Sequence, residues 1–310
     1  MTNPAQDNHS GNALGAAPIT RFAPSPTGAL HLGHVYSALV AAKAGGGQFI
    51  LRIDDIDHTR CRPAFSAQIL DDLQWLGLNW RHPIAYQSDR LADYADALGR
   101  LRDMGIVYPC YLSRTEINDL LSAPHDANHD ANPDANSDDA DNITNNKSGA
   151  ITDTQTHLPQ DERRRRADDG MAPAWRLRSA AALALTGPLY WHDVANNHHI
   201  AVDMAPFGDV VIARKDIGTS YHLSVVIDDK LDKINLVTRG KDLSQSTHIH
   251  RLLQALLEIE PPRYLHHRLL HDEAGRRLAK RDKARSIASL REAGLSPKDV
   301  HEMMPELPNF

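Results

Sequence analysis

Short apolar runs and helical periodicities alternate along the N-terminal part of the chain. Residues 19–22 and 48–53 predict short β-strands, and residues 30–44 between them predict a helix. Residues 23–28 are rich in proline and glycine, which predicts a loop. The pattern therefore predicts a strand, a loop, a helix and a second strand in succession.

Two more helices are expected, because apolar residues recur every three or four positions over residues 65–76 and 91–101. Ser88 precedes the second of these segments as its expected N-cap. Strands that alternate with helices of this length predict an α/β fold with a mostly parallel, doubly wound sheet. Ligands bind such sheets at the carboxyl ends of the strands, and residues 23–28 form the first loop at such an end.

The middle of the chain has a different composition. Over residues 123–147 large apolar side chains are almost absent, and Asp-Ala-Asn recurs every four residues at Asp126, Asp130 and Asp134. Such a segment cannot bury enough surface to offset its conformational entropy. We therefore expect a flexible tail over residues 1–18, the first half of a folded domain over 19–122, a largely disordered insertion over 123–170, and the second half over 171–310.

Periodic patterns resume after the insertion. The predicted strands are residues 175–178, 189–194, 210–213 and 235–238, and the predicted helices are residues 220–227 and 243–257. Residues 163–166 are four consecutive arginines. We favour a solvated charge run there, and contact with RNA phosphates is the alternative.

Composition narrows the class of protein. The 310 residues are 41% hydrophobic, which is enough for a sizeable core, and the net charge of −6 argues against global attraction to nucleic acid. Two cysteines cannot form a disulfide framework, which fits a reducing compartment. No apolar run reaches the length of a membrane span, and residues 1–17 lack the features of a signal peptide. We expect a cytoplasmic protein.

The most specific chemical signal is RFAPSPTG at residues 21–28, followed by HLGH at 31–34. Prolines stiffen the turn, and Gly33 allows a ligand to approach the backbone closely. Amide groups at a helix start favour phosphate, and His31 and His34 lie on one helical face, where both can donate hydrogen bonds to one phosphate. Taken alone, two histidines at this spacing often merely cap a helix.

The whole string over residues 21–34 resembles the signature of class I aminoacyl-tRNA synthetases, and it is most similar to the glutamyl branch. Three more segments of that branch follow in the expected order: LRIDDID at 51–57, YHLSVVIDD at 221–229 and VTRGKDL at 237–243. Without the resemblance, their aspartates would be interpreted as caps of strands and helices. The resemblance implies a Rossmann-type catalytic domain, split by an inserted subdomain, that uses ATP and L-glutamate.

The chain ends soon after the last of these segments, so no anticodon-binding domain is expected. In this respect it is similar to the short members of the branch, which transfer glutamate to the queuosine base in the anticodon of tRNA(Asp). The resemblance thus implies tRNA(Asp) bearing queuosine as a partner and activation of glutamate without tRNA. Two alternatives stay open: a truncated glutamyl-tRNA synthetase that charges a tRNA 3′ end, and a non-catalytic paralogue that binds nucleotide or tRNA. A monomer is expected.

Residue roles follow from the matched positions. The resemblance implies that His31, His34 and Lys280 are catalytic, with magnesium carried on the ATP triphosphate. The residues expected to bind ATP are Phe22, Ala23, Pro24, Ser25, His31, Gly33, His34 and Lys280. Those expected to bind glutamate are Arg21, Asp54, Tyr221 and Arg239. A planar guanidinium suits a carboxylate because it donates two parallel hydrogen bonds.

Three positions depart from the family pattern. Asp54 replaces a glutamate that binds the substrate ammonium group, so its side chain is one methylene shorter. The mobile signature loop, KLSKQ in short members, is RLAKR at residues 277–281, which keeps Lys280. Many members bind zinc through a Cys-x-Cys pair, and here Cys110 is followed by Leu112 at the second position. A structural zinc site needs four ligands, so zinc is predicted to be absent.

Overall fold

The structure is a computed structural model that describes residues 18–122, 152–271 and 286–309. Its first half contains β1 (Arg21–Phe22), α1 (Leu32–Ala44), β2 (Gln48–Ile53), α2 (Pro63–Trp75), β3 (Asn79–Tyr86), α3 (Leu91–Asp103), β4 (Val107–Cys110) and α4 (Arg114–Ser122). The predicted strand, loop, helix and strand at the N-terminus are confirmed as β1, α1 and β2.

The second half begins with α5 (Gln160–Asp168), β5 (Ala174–Leu177), α6 (Ser179–Thr186), β6 (Tyr190–Asp193), β7 (His198–Ala201) and β8 (Val210–Ala213). It continues with α7 (Tyr221–Leu231), β9 (Leu236–Gly240), α8 (Ser246–Leu256), β10 (Arg263–His267), α9 (Ile287–Glu292) and α10 (Pro297–Glu302). The two predicted helices of this half correspond to α7 and α8.

Two mostly parallel sheets meet edge to edge. Strands β1, β2 and β3 are parallel neighbours, and β9, β10 and β6 are parallel neighbours with β7 added antiparallel. The carbonyl of Ile19 accepts hydrogen bonds from the amides of Asn235 and Leu236, which places β9 beside β1. The carboxyl ends of β1, β2, β9 and β10 therefore lie along one edge, as the doubly wound prediction requires.

A third, antiparallel sheet of β4, β5 and β8 forms the inserted subdomain.

Helices α1 and α2 pack on β1 and β2 through buried residues such as Val35, Ile69 and Leu73. Leu290 and Val300, from the last two helices, join the same core. A second core lies between α3, α7 and α8, and it includes Leu101 and Leu252, both fully buried. The apolar faces of these helices explain their predictability.

The structure differs from the expected disordered insertion over residues 152–170. They contain a 3₁₀ helix, Thr154–His157, and helix α5. Buried polar contacts hold this segment: the Thr154 amide donates to the Tyr108 hydroxyl at 3.0 Å, and the Asp153 amide donates to Asp209 at 2.7 Å. Residues 123–151 lie outside the described residues.

The run of four arginines lies in α5. Arg165 pairs with Glu162 at 2.7 Å, and Arg166 pairs with both Glu162 and Glu116. Arg164 lies 3.9 Å from Asp168 and is largely exposed. Carboxylates of the same helix and of α4 therefore balance much of this positive charge, which agrees better with a solvated charge run than with a phosphate-binding surface.

The expected cap at Ser88 is wrong. Helix α3 begins after Arg90, which makes no side-chain cap, and Ser88 instead donates its hydroxyl to Asp55 at 2.8 Å. Strands β3, β4, β7 and β10 had no predicted counterpart, because polar residues separate or flank the apolar positions of β3, β7 and β10, and Pro109 lies within β4. In the described part of the chain, no helix combines the length and the apolar character that a bilayer crossing requires.

Candidate active site

Four predicted substrate-binding residues meet at the carboxyl edge of the sheet. Arg21 belongs to β1, Asp54 directly follows β2, and Arg239 lies near the end of β9. Tyr221 is the first residue of α7, whose start is fixed by the Ser220 side chain accepting a hydrogen bond from the Leu223 amide. Arg239 Nη1 lies 3.5 Å from the Tyr221 hydroxyl, and the side chain of Arg21 reaches the backbone of β9.

Ion pairs hold the arginine of β1 in place. Arg21 Nε lies 3.0 Å from Asp229 Oδ1, and Arg21 Nη1 donates to the Thr238 carbonyl at 3.0 Å. Arg52, which is fully buried, donates to the same Asp229 oxygen at 2.9 Å. Burial alone would raise the pKa of Asp229, but the nearby charges of Arg21 and Arg52 lower it below its usual value. Buried charges are costly unless they are paired. The stability of the cluster of Arg21, Arg52 and Asp229 therefore depends on all three side chains.

Asp54 is a further carboxylate bound to Arg52. Its Oδ1 accepts a hydrogen bond from Arg52 Nε at 2.7 Å, and its amide donates to the Pro24 carbonyl at 3.0 Å. Burial raises the pKa of Asp54 to about 7, and Arg52 only partly offsets that effect. The Asp54 side chain, one methylene shorter than the glutamate of the family pattern, is thus bound to Arg52. Its carboxyl group changes protonation near neutral pH.

Arg239 differs from the other two arginines because its hydrogen-bond partners are neutral. Nη2 donates to Thr247 Oγ1 at 2.6 Å, Nη1 lies 3.1 Å from His250 Nδ1, and Nε lies 3.3 Å from His266 Nε2. Thr247 and His250 share one face of α8, and His266 is the cross-strand neighbour of Arg239 on β10. Arg239 is itself buried, with 6% of its surface exposed.

The two histidines of the first helix form a capping box at the start of α1. His31 Nδ1 accepts a hydrogen bond from the Gly33 amide at 3.1 Å, and His34 Nδ1 accepts one from the His31 amide at 3.2 Å. Because each neutral ring has one donor nitrogen, the proton of both rings is on Nε2. The ring centroids are 3.8 Å apart, so both imidazoles lie at the N-terminus of α1, where an anion is favoured.

Gly33 has a steric role that the sequence interpretation missed. A Cβ at this position would lie 2.9 Å from His31 Cε1 and 3.1 Å from His31 Nδ1. The absence of a side chain therefore leaves room for the capping imidazole itself. Of the predicted ATP-binding residues 22–25, Phe22 ends β1 and is buried, and the other three lie in the loop that leads to α1, with Pro24 buried and Ala23 and Ser25 half-buried.

A cavity of about 940 Å³ lies beside the start of α1. Its lining includes Leu32, Lys241 and Asp242, and the residues that directly follow β10, namely Arg268, Leu269 and Leu270. The sequence interpretation missed the last three because β10 was not predicted. A volume of this size is suited to a small-molecule ligand.

Lys280 lies outside the described residues, and its predicted role stays a prediction. The flanking residues are described: His271 contributes to the cavity, and Ser286 forms an isolated β-bridge with His31.

Cys110 packs in an apolar cluster with Leu112 and Leu158. Across residues 18–122, 152–271 and 286–309, no group of three or more His, Cys, Asp or Glu side chains is arranged to hold a metal ion.

Comparison with known proteins identifies the family. Residues 19–304 match the family described as tRNA synthetases class I (E and Q), catalytic domain. A glutamyl-Q tRNA(Asp) synthetase from Rhodobacter capsulatus is 44% identical over 299 residues, which cover 92% of this chain and 99% of that protein. A protein of the same name from Symbiobacterium thermophilum is 38% identical, over 90% of this chain and 83% of its own length.

Solved structures agree. A glutamate tRNA ligase from Elizabethkingia meningosepticum, crystallised with its amino acid, is similar with a TM-score of 0.65 and 26% identity over 86% of this chain. This chain spans about half of that ligase, 52%. Methionyl-tRNA synthetase from Mycobacterium tuberculosis shares the fold, with a TM-score of 0.54 and 12% identity over 92% of this chain and 63% of its own. The chain therefore belongs to the class I tRNA synthetases of the E and Q type, and it is a ligase of the aminoacyl-tRNA synthetase kind.

Proposed function

We propose that the chain activates L-glutamate with ATP to form glutamyl-adenylate, without requiring tRNA for this step, and transfers the glutamate to the queuosine base in the anticodon of tRNA(Asp). The observation that carries this proposal is the convergence of Arg21, Asp54, Tyr221 and Arg239 at one sheet edge, next to the capped start of α1. The charged groups among them match the parts of an amino acid with an acidic side chain, since an arginine suits a carboxylate and an aspartate suits an ammonium group.

In the proposed reaction, a carboxylate oxygen of glutamate attacks the α-phosphorus of ATP, and pyrophosphate leaves with the electron pair of the broken P–O bond. The protein contributes position and charge stabilisation rather than a nucleophile. The Nε2–H groups of His31 and His34 donate to ATP phosphate oxygens, and Lys280 is the predicted cation at the same phosphates. Magnesium would be held mainly by the triphosphate itself, where it neutralises charge.

The tRNA acceptor in this proposal is supported by the Rhodobacter capsulatus relative, of which the chain covers 99%. Transfer of labelled glutamate tests it directly. Three substrates are compared: tRNA(Asp) with queuosine, the same tRNA without queuosine, and tRNA(Glu).

Labelling of queuosine-containing tRNA(Asp) alone is the expected result. Labelling of tRNA(Glu) at its 3′ end would instead favour a truncated glutamyl-tRNA synthetase. If none of the three is labelled and no adenylate forms, the non-catalytic paralogue is the better account.

A further inference from the structure

The side chains that accept hydrogen bonds from Arg239 are all neutral. Arg21 and Arg52 each pair with Asp229, whereas the side-chain partners of Arg239 are a tyrosine, a threonine and two histidines. Within the ranges that the structure describes, Arg239 forms no ion pair with a carboxylate. A buried arginine without a counter-charge is costly unless a ligand supplies that charge.

Hydrogen-bond chemistry fixes the protonation of the nearest histidine. An arginine can only donate, so His250 Nδ1, 3.1 Å from Arg239 Nη1, must accept. The remaining nitrogen of His250, Nε2, then carries the proton and donates to His222 Nδ1 at 3.1 Å. Both imidazoles are thereby neutral. Burial first, and the charge of Arg239 second, lower the pKa of His222 to about 3 and the pKa of His250 well below its usual value.

We propose that His250 is a positioning residue that holds Arg239 through a neutral nitrogen, so that the uncompensated charge of Arg239 selects a substrate with an anionic side chain. This inference rests on the proposed activation of glutamate. The contact from Arg239 Nη1 to the Tyr221 hydroxyl is the longest of its four, at 3.5 Å. A substrate carboxylate can replace that contact while the bonds to His250 and Thr247 persist.

An isosteric pair of variants separates the charge from the shape of residue 250. In His250→Asn, the amide oxygen takes the place of Nδ1 and accepts from Arg239 without adding charge. In His250→Asp, a carboxylate oxygen takes the same place and neutralises Arg239. His248→Asp is the matched control: it adds the same charge on the same helix, but His248 Nδ1 accepts from the Asp203 amide and does not contact Arg239.

The measurement is the dissociation constant for L-glutamate and for L-glutamine by calorimetry, with KM and kcat of pyrophosphate exchange alongside and thermal melting to establish folding. We expect His250→Asp to weaken glutamate binding at least about tenfold and to reduce the preference over glutamine by a similar factor, because a charge-assisted bond is lost. The expected changes are in KM more than in kcat. His250→Asn and His248→Asp should keep the preference.

Equal effects of Asn and Asp at position 250, or an unchanged preference in a folded His250→Asp protein, would overturn the positioning role while leaving glutamate activation intact. A wild-type protein that binds neither amino acid and forms no adenylate would instead refute the proposed function itself. The two failures are thus distinguishable in one set of experiments.

Discussion

Lowering the pH from 8 to 6 should weaken glutamate binding about tenfold through protonation of a single carboxylate, Asp54. Burial raises the pKa of Asp54 to about 7, so its ionised fraction falls from about nine-tenths at pH 8 to about one-tenth at pH 6. If only the ionised form binds the substrate ammonium group, the apparent dissociation constant rises in inverse proportion to that fraction.

Ionisation of Asp54 favours glutamate binding but opposes folding. Because the pKa of Asp54 is raised on folding, this group contributes stability that is fully present below its unfolded pKa of roughly 4 and is lost as pH rises through about 7. Glutamate binding needs the ionised form of Asp54, which predominates only above about pH 7. As the pH rises, ionisation of Asp54 should therefore lower the stability of the unliganded protein and strengthen its binding of glutamate.

The assay is calorimetric titration of L-glutamate between about pH 5.5 and 8.5, using the wild type and Asp54→Asn. The substrate changes little in charge over this range, and burial keeps the pKa of His222 and His266 near 3. Asp54→Asn should bind more weakly and without the pH dependence. A flat wild-type profile between pH 6 and 8, or the same slope in the variant, would refute the assignment.

Three further predictions concern single side chains. Gly33→Ala should displace the His31 ring and lower the pyrophosphate exchange rate roughly tenfold or more, with a melting temperature close to that of the wild type. Tyr94→Phe removes a 2.7 Å hydrogen bond to buried Asp228 and should lower the free energy of unfolding in urea by about 1.5–3 kcal/mol. Leu101→Ala should cost about 2–5 kcal/mol in the same urea assay, whereas Leu185→Ala, which is 63% exposed, should change it by less than about 0.5 kcal/mol.

Local periodicity accounts for the parts of the fold that the sequence predicted. The apolar run of β2 and the helical spacing in α2 and α3 are visible in single segments, and the observed bounds lie within a few residues of those expected. Strand β10 was missed because Arg263, His266 and His267 leave it only two apolar residues, Tyr264 and Leu265. Its position between β9 and β6 is a tertiary property that no single segment displays.

The site was predictable only where a family resemblance supplied positions. Arg21, Asp54, Tyr221 and Arg239 come from four separate segments, and the sheet brings them to one edge. Their partners were not predictable. Arg52 lies inside an apolar run yet is fully buried, because Asp54 and Asp229 compensate its charge from different elements. Such pairings depend on which strands become neighbours.

Glutamate-dependent exchange of labelled pyrophosphate into ATP, without tRNA, tests the central claim most directly. Aspartate and glutamine are each tested in place of glutamate, and the variants Arg239→Ala and Lys280→Ala are tested beside the wild type. We predict exchange with glutamate alone, and its loss in both variants when their folding is verified. A folded wild-type protein that gives no exchange with glutamate, even after tRNA is added, would contradict the account.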